Sequence, residues 1–401
     1  MIRESKRTGV EKQNFMTIGV LLTIAFFVSL VLVACIHARV VKIAVKYRIV
    51  DNPDKRKLQK EPVPVLGGVA VFCGVAVGLI VAGLFTDLRV MRIIVPAMLV
   101  MLVTGLRDDM KGLSPWFRLL VEIAVVLCLI YFGGFRIDDF HGLCGIYEIP
   151  DRVAIPLTVF AAVGIINAIN LIDGVNGLSS GFCVMACAIF GVFFYCVGNV
   201  PMVLLAAVSA GALIPFFFHN VFGRTSRMFI GDSGTLAMGV VMSVFVCEVL
   251  RSDVGCSLCP RYGLIPFTLA VLSIPIFDTL RVMSTRIRHG ISPFHADKTH
   301  LHHMFIAIGC SHPMTTLAIL VSDLGVVFCW WILSVFCVPV GVQCLVVVVV
   351  GVLGTFGVYG FMDYHLRHKT RLMRRLRRLG FHTHLSRSRS FLALRKFVDK
   401  Y

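Results

Sequence analysis

Runs of about 20 apolar residues recur from one end of the chain to the other, separated by short stretches where acids, amides, histidines and basic residues collect. A helix of roughly that length spans the hydrocarbon core of a bilayer, where each backbone polar group must be bonded within its own segment. The pattern predicts an all-α polytopic integral membrane protein with about eleven transmembrane helices. They are placed at 16–38, 67–85, 90–106, 118–134, 153–172, 182–198, 200–218, 235–250, 264–284, 317–338 and 342–362. No internal repeat is visible. The first run exceeds the roughly 7–15 residues of a signal-peptide core and lacks a small-residue cleavage site, so it reads as a retained span. The chain divides into an N-terminal arm (1–15), a transmembrane domain (16–362) and a basic tail (363–401).

Composition supports that pattern. The 401 residues are 57% hydrophobic and 15% charged, with a mean hydropathy of +0.86, whereas soluble domains carry about 25% charged residues. The net charge of +17 is concentrated, with eight Lys/Arg in 39–66 and twelve in 363–401. An excess of Lys and Arg marks cytoplasmic loops. An odd span count with both dense segments on one face puts the N-terminus outside and the tail in the cytoplasm, although Arg3, Lys6, Arg7 and Lys12 of the arm pull the other way. Attraction to anionic headgroups explains the tail without a nucleic-acid partner. Of the 14 cysteines, Cys35, Cys73, Cys128, Cys183 and Cys187 fall in apolar spans as small hydrophobes, and Cys256–Cys259 is an isolated C-x-x-C without further zinc ligands nearby.

Sidedness sorts the polar clusters independently of their chemistry. Loops 51–68, 105–117, 173–181, 219–234 and 285–313 fall on the cytoplasmic face, and the opposite loops carry no comparable cluster. One active site built from several cytoplasmic loops is the expectation. Asp108 and Asp109 are adjacent acids able to hold a divalent cation or to divide a base role and a charge role; alone, they would read as helix caps or partners of Arg107 and Lys111. In Asn167-Ala-Ile-Asn170-Leu-Ile-Asp173-Gly-Val-Asn176-Gly177, Asn170 and Asp173 would share a helix face if the span runs through them, and their oxygens suit Mg²⁺. Asn167 equally fits an intramembrane helix–helix hydrogen bond. Asp232, in Phe229-Ile-Gly-Asp-Ser-Gly, reads as a ligand or as an N-cap. Arg56 and Lys57 lie in a basic, turn-rich loop suited to phosphate oxygens. The run His300-Leu-His302-His303 lacks the thiolates of a zinc site and fits phosphate or sugar hydroxyls better.

In this order, the five loops resemble the polyprenyl-phosphate N-acetylhexosamine-1-phosphate transferase family (glycosyltransferase family 4), over about Asp51 to His303. The Ser292-Pro-Phe…Asp297…His300-Leu-His302-His303 segment and the span count resemble the bacterial branch acting on undecaprenyl phosphate with GlcNAc-1-phosphate. The resemblance implies transfer of a sugar-1-phosphate from a UDP-sugar donor to undecaprenyl phosphate in the cell (inner) membrane, releasing UMP. It implies Asp108, Asp109, Asp173 and His300 as catalytic groups and Asn170 and Asp232 as holders of Mg²⁺, with Mn²⁺ as substitute. Phe229 and Asn176 would meet uracil; Arg56, Lys57, His302 and His303 would meet phosphates or sugar. Membrane lipid is a further partner, and a homodimer a further candidate. Asn176, Gln59 and Val65 stand where Asp, His and Arg are usual, which bears on donor choice; Arg118 and Glu122 replace a frequent Lys and Gln. Another UDP-N-acetylhexosamine is the alternative donor. A transporter or lipid flippase is the rival class, but transporters gather polar groups near the midplane in paired halves, unlike these one-sided clusters.

Overall fold

In a computed structural model, residues 2–51, 61–252, 262–292, 299–372, 374–375 and 388–400 are described, with side chains from Ile18 onward. The fold is helical: α1 (Ile2–Lys46), α2 (Gly67–Gly83), α3 (Met91–Lys111), α4 (Pro115–Gly133), α5 (Asp151–Leu171), α6 (Leu178–Cys196), α7 (Val200–Phe222), α8 (Gly231–Val249), α9 (Leu264–Val271), α10 (Ser273–Arg288), α11 (Leu301–Ala307), α12 (His312–Val335), α13 (Val340–Val352), α14 (Val358–Arg367) and α15 (Arg389–Val398). Two short antiparallel pairs complete it, β1 (Val50–Asp51) with β2 (Val63–Pro64) and β3 (Asp139–Leu143) with β4 (Ile146–Glu148).

Each of the eleven predicted spans falls on helix, and among the described residues eight helices are long and apolar enough to cross a membrane, the last of them α13 and α14 run together through a π-helical stretch at Leu353–Gly357. The other three differ for physical reasons. α2 is apolar but only 17 residues long. In α3, Arg92, Arg107 and the acid pair leave no membrane-length stretch nearly free of charge. The span at 264–284 is two helices, α9 and α10, bent by 74°. That break frees backbone N–H groups inside the protein, and buried Asp323 of α12 takes up one of them, accepting from the Ile274 N–H at 2.9 Å and also from the Ser273 hydroxyl at 2.7 Å.

The bundle is organised around α8. Every residue of α8 is buried except Asp232, with α2, α3 and α5 packed around it. α1, α6 and α7 form a neighbouring layer. Gly105 lets α3 close onto α8 so tightly that a Cβ there would overlap the Asp232 backbone. This contact carries the acid pair of α3 to the one accessible position of α8. The two ends of α8 differ. At its C-terminal end, the Asp138 and Asp139 N–H groups bond the Leu250 carbonyl and Asn199 donates to Glu248. Loops 112–114, 172–177 and 223–230 gather at its N-terminal end.

Candidate active site

The last turn of α3 places two carboxylates in different roles. Asp109 accepts the Asp232 N–H at 3.0 Å and the Ser233 N–H at 3.3 Å, so it caps the first turn of α8 from outside that helix. Asp232 is therefore not the cap; its own carboxylate is left facing the site. Asp108 accepts the Leu113 N–H at 2.7 Å and lies 3.3 Å from Arg118 Nη1. Arg118 also approaches Asp232 at 3.9 Å and the buried Glu122 at 3.4 Å, and donates to Asn167 Oδ1 at 3.2 Å. Asn167 donates to Glu122 and to the Val163 carbonyl, which fits its reading as a bond between helices. One guanidinium thus offsets repulsion within an acidic group that would otherwise push apart.

Asn170 turns its amide to Asp232 Oδ1 (2.8 Å) and Thr235 Oγ1 (2.9 Å). Asp173 does not share its helix face. α5 ends at Leu171, and the Asn-Leu-Ile-Asp-Gly sequence leaves the helix as a turn, so Asp173 is placed beyond it and accepts the Ser179 hydroxyl of α6. Its surface opens to a cavity, yet the protein mass around it raises its pKa above the ordinary value. The Ser179 hydrogen bond opposes that rise and the Asp232 charge adds to it.

That cavity has a volume of about 1190 Å³ and is bordered by Asp108, Asp109, Asp173, Asn176, Asp232, Phe229 and His303. Phe229 is fixed through its backbone, donating to the Pro64 carbonyl and accepting from the Gly67 N–H. Asn176 is held by Thr316, which donates to its carbonyl, and by His312 Nδ1, which accepts its N–H at 3.3 Å. Arg56 and Lys57 lie outside the described residues; Asp51 and Glu61, beyond the two ends of their loop, border the cavity.

The histidines divide unevenly. His300 is buried and bonded through Nδ1 to Asp278 of α10 at 2.9 Å; Asp278 also accepts from Arg281 (2.8 and 3.1 Å) and from the Leu301 N–H (3.2 Å). Arg281 stacks 3.8 Å from the Tyr359 ring centroid. His302 is buried against Gly174, where a Cβ would strike its ring. Burial holds its pKa well below the ordinary value, with His303 and His300 adding to the depression against an opposing Asp278. Among the three, only His303 borders the cavity. Sequence reasoning passed over Asp278, His312 and Asn220, the last of which accepts the Gly177 N–H and donates to the Met228 carbonyl, joining two site loops. An Asp three residues before Arg281 at the polar end of an apolar run was the available signal for the first.

Residues 91–249 match the model of glycosyl transferase family 4. The chain is 34% identical over 300 residues, 74% of its length and 81% of the relative's, to a Bacillus subtilis (strain 168) protein named "Probable undecaprenyl-phosphate N-acetylglucosaminyl 1-phosphate transferase". It belongs to glycosyl transferase family 4. It is also 26% identical over 323 residues (78% and 84%) to the Escherichia coli (strain K12) protein named undecaprenyl-phosphate alpha-N-acetylglucosaminyl 1-phosphate transferase, and 25% over 295 residues (71% and 78%) to a protein of that name from Yersinia pestis. The glycosyl transferase family 4 match contains Asp108, Asp109, Asn170, Asp173, Asn176, Phe229 and Asp232. It stops before the histidine segment, which α10 brings to the same place from outside the matched stretch.

Proposed function

We propose that the chain transfers GlcNAc-1-phosphate from UDP-GlcNAc to undecaprenyl phosphate, releasing UMP. The observation that carries this reading is the meeting of Asp108, Asp109, Asp173 and Asp232 at one cavity at the end of the central helix, in a chain whose relatives bear that transferase name. The lipid phosphate attacks the sugar-linked phosphorus and UMP leaves. A phosphate monoester has its second pKa near about 6, so the attacking oxygen is already largely ionised at neutral pH. Little base catalysis is then needed, and placement carries the rate.

The donor set is all oxygen, which fits Mg²⁺, with Mn²⁺ as substitute: Asp232 and Asn170 would hold the ion, beside Asp108 and Asp109. Among the described residues no three Asp, Glu, His or Cys side chains converge closely enough to ligate one ion, so small shifts of Arg118 and the carboxylates would accompany binding. Bound there, the ion would neutralise the diphosphate and stabilise departing UMP. Asp108 is engaged with Arg118 and Asp109 with α8, so each positions charge. Asp173, with its raised pKa, is the group suited to take up the remaining proton of the lipid phosphate. Phe229 stacks on uracil and Asn176 bonds its edge. His303 contacts phosphate or sugar, while His300 and His302 act through the packing that sets it in place.

The finer membrane reading is eleven crossings with the acidic end, the basic loop 39–66 and the tail in the cytoplasm, supported by the positive-inside bias. Acids at one end of the bundle, away from the midplane, count against a transporter. The test is UMP release by the purified chain from UDP-GlcNAc, undecaprenyl phosphate and Mg²⁺. Lipid- and metal-dependent UMP that disappears in Asp232→Asn supports the reading. Release from a different UDP-sugar only would move the donor, and silence with all of them from folded protein would overturn it.

A further inference from the structure

The C-terminal tail is more than a basic appendage. Its helix α15 is capped by Ser388, whose hydroxyl accepts the Phe391 N–H at 3.2 Å, and it buries Phe391 against Phe222 at the end of α7, ring centroids 4.8 Å apart. Just past the helix, Asp399 accepts the N–H groups of Arg224, Thr225 and Ser226 at 2.9–3.2 Å and the hydroxyls of Thr225 and Ser226 at 3.1 Å. Three successive N–H groups aimed at one carboxylate form an anion nest, here filled by the chain's own residue. The nest is itself braced: the Ser226 carbonyl bonds His37 of α1 and its hydroxyl bonds His219 of α7, with the two imidazoles stacked 3.9 Å apart.

This latch fixes a guanidinium in the cavity wall. Arg395 donates Nε to the Phe222 carbonyl at 3.4 Å, lies 5.3 Å from the Phe391 ring centroid, and borders the same cavity as the four carboxylates. Arg224 and half-buried Arg227 border it too. Burial first, then the neighbouring charge of Arg395, lowers the pKa of Arg227 from its ordinary value, with Asp399 and Glu61 opposing. Guanidiniums crowded onto one wall repel each other unless an anion joins them, and the planar, always-charged group matches phosphate oxygens.

We propose that the C-terminal helix is a wall of the active site, and that Arg395 together with Arg227 holds a substrate phosphate. Which phosphate depends on the transferase reading: the donor's diphosphate or the lipid's monophosphate. Asp399 is a positioning residue that keeps Arg395 in the wall.

The experiment compares full-length wild type with Arg395→Ala, Arg395→Lys and Asp399→Ala, each checked for monodisperse elution. UMP release is titrated in each substrate, and pyrophosphate binding is followed calorimetrically in the absence of both. Arg395→Ala is expected to raise the KM of one substrate about tenfold, as loss of a charge-assisted pair implies, with kcat within about threefold. The substrate whose KM moves identifies the phosphate. Arg395→Lys should recover part of the loss, Asp399→Ala should raise the same KM, and pyrophosphate binding should weaken in Arg395→Ala. Unchanged KM values and pyrophosphate binding in active Arg395→Ala would overturn the inference while leaving the transferase reading intact. A fall in kcat alone would also overturn it. Inactive wild type whose pyrophosphate binding is lost in Arg395→Ala would sink the transferase reading and keep the phosphate site.

Discussion

Arg118 is the residue on which the acidic group turns. It touches Asp108, Glu122 and Asn167 and approaches Asp232, so one cation serves carboxylates from three helices. Removing one partner of a buried pair leaves an uncompensated charge. Arg118→Ala is expected to lower stability by about 3 kcal/mol, read as a reduced thermal midpoint in detergent, and to abolish turnover; equal stability would refute the role. Asp173 gives a prediction in pH. Its raised folded pKa means that the folded chain holds this proton more tightly than the unfolded one. Folding is therefore favoured as pH falls through the raised value, and the turn costs stability above it. To act as the proposed proton acceptor, Asp173 must be ionised. The acid limb of kcat/KM should therefore lie above the ordinary carboxylate pKa of about 4, and Asp173→Asn should change that limb while lowering the rate only modestly at neutral pH, where the lipid phosphate is already largely ionised.

At the scale of elements, α10 and α11 show how a histidine run becomes part of a site. α10 is one arm of a broken span, capped by Asp323, and its Asp278 gathers His300, Arg281 and the Leu301 N–H into one buried knot. Asp278→Ala would leave Arg281 as a buried charge without its carboxylate, at a cost of about 3–5 kcal/mol. Faster amide exchange across 299–307 is the expected signature. His302 adds a pH response of the opposite sign to that of Asp173. Its depressed pKa means that the unfolded segment takes up a proton that the packed one refuses. Docking of α11 on Gly174 is thus at full strength above the ordinary pKa of about 6.5 and weakens as pH falls below it. Protection of the α11 amides, taken relative to the unfolded-chain exchange rate at each pH, should therefore fall between neutral and mildly acidic pH. In His302→Phe, whose ring cannot titrate, that loss of protection should disappear.

On the scale of the whole molecule, α8 sorts the loops into two ends, with the acidic site at its N-terminus and the β3–β4 hairpin at its C-terminus. Opposite ends of a spanning helix must face opposite sides of the membrane. Exposed Cys144, between β3 and β4, should react with an impermeant maleimide from outside intact cells. A cysteine placed at exposed Thr225 should react only after permeabilisation. Labelling of both from one side would reject the arrangement.

The sequence alone determined the membrane class, because lipid forces every spanning segment into a long apolar helix that can be read as a run. It also singled out the acids, since carboxylates beside apolar spans are costly enough to mark function. Asp108, Asp109, Asp173 and Asp232 were legible on that ground, and all four border the cavity. Tertiary structure decided how they are used. Asp109 caps a helix more than a hundred residues away, Asp173 lies past the end of α5 and off the face of Asn170, and two of the three histidines turn inward to be packed. No local pattern encodes such choices, because each is set by a partner distant in sequence. Tertiary structure alone also brought the tail to the site. Arg395 is one basic residue among twelve in that segment, and only the docking of Phe391 and Asp399 on the end of α7 sets it apart.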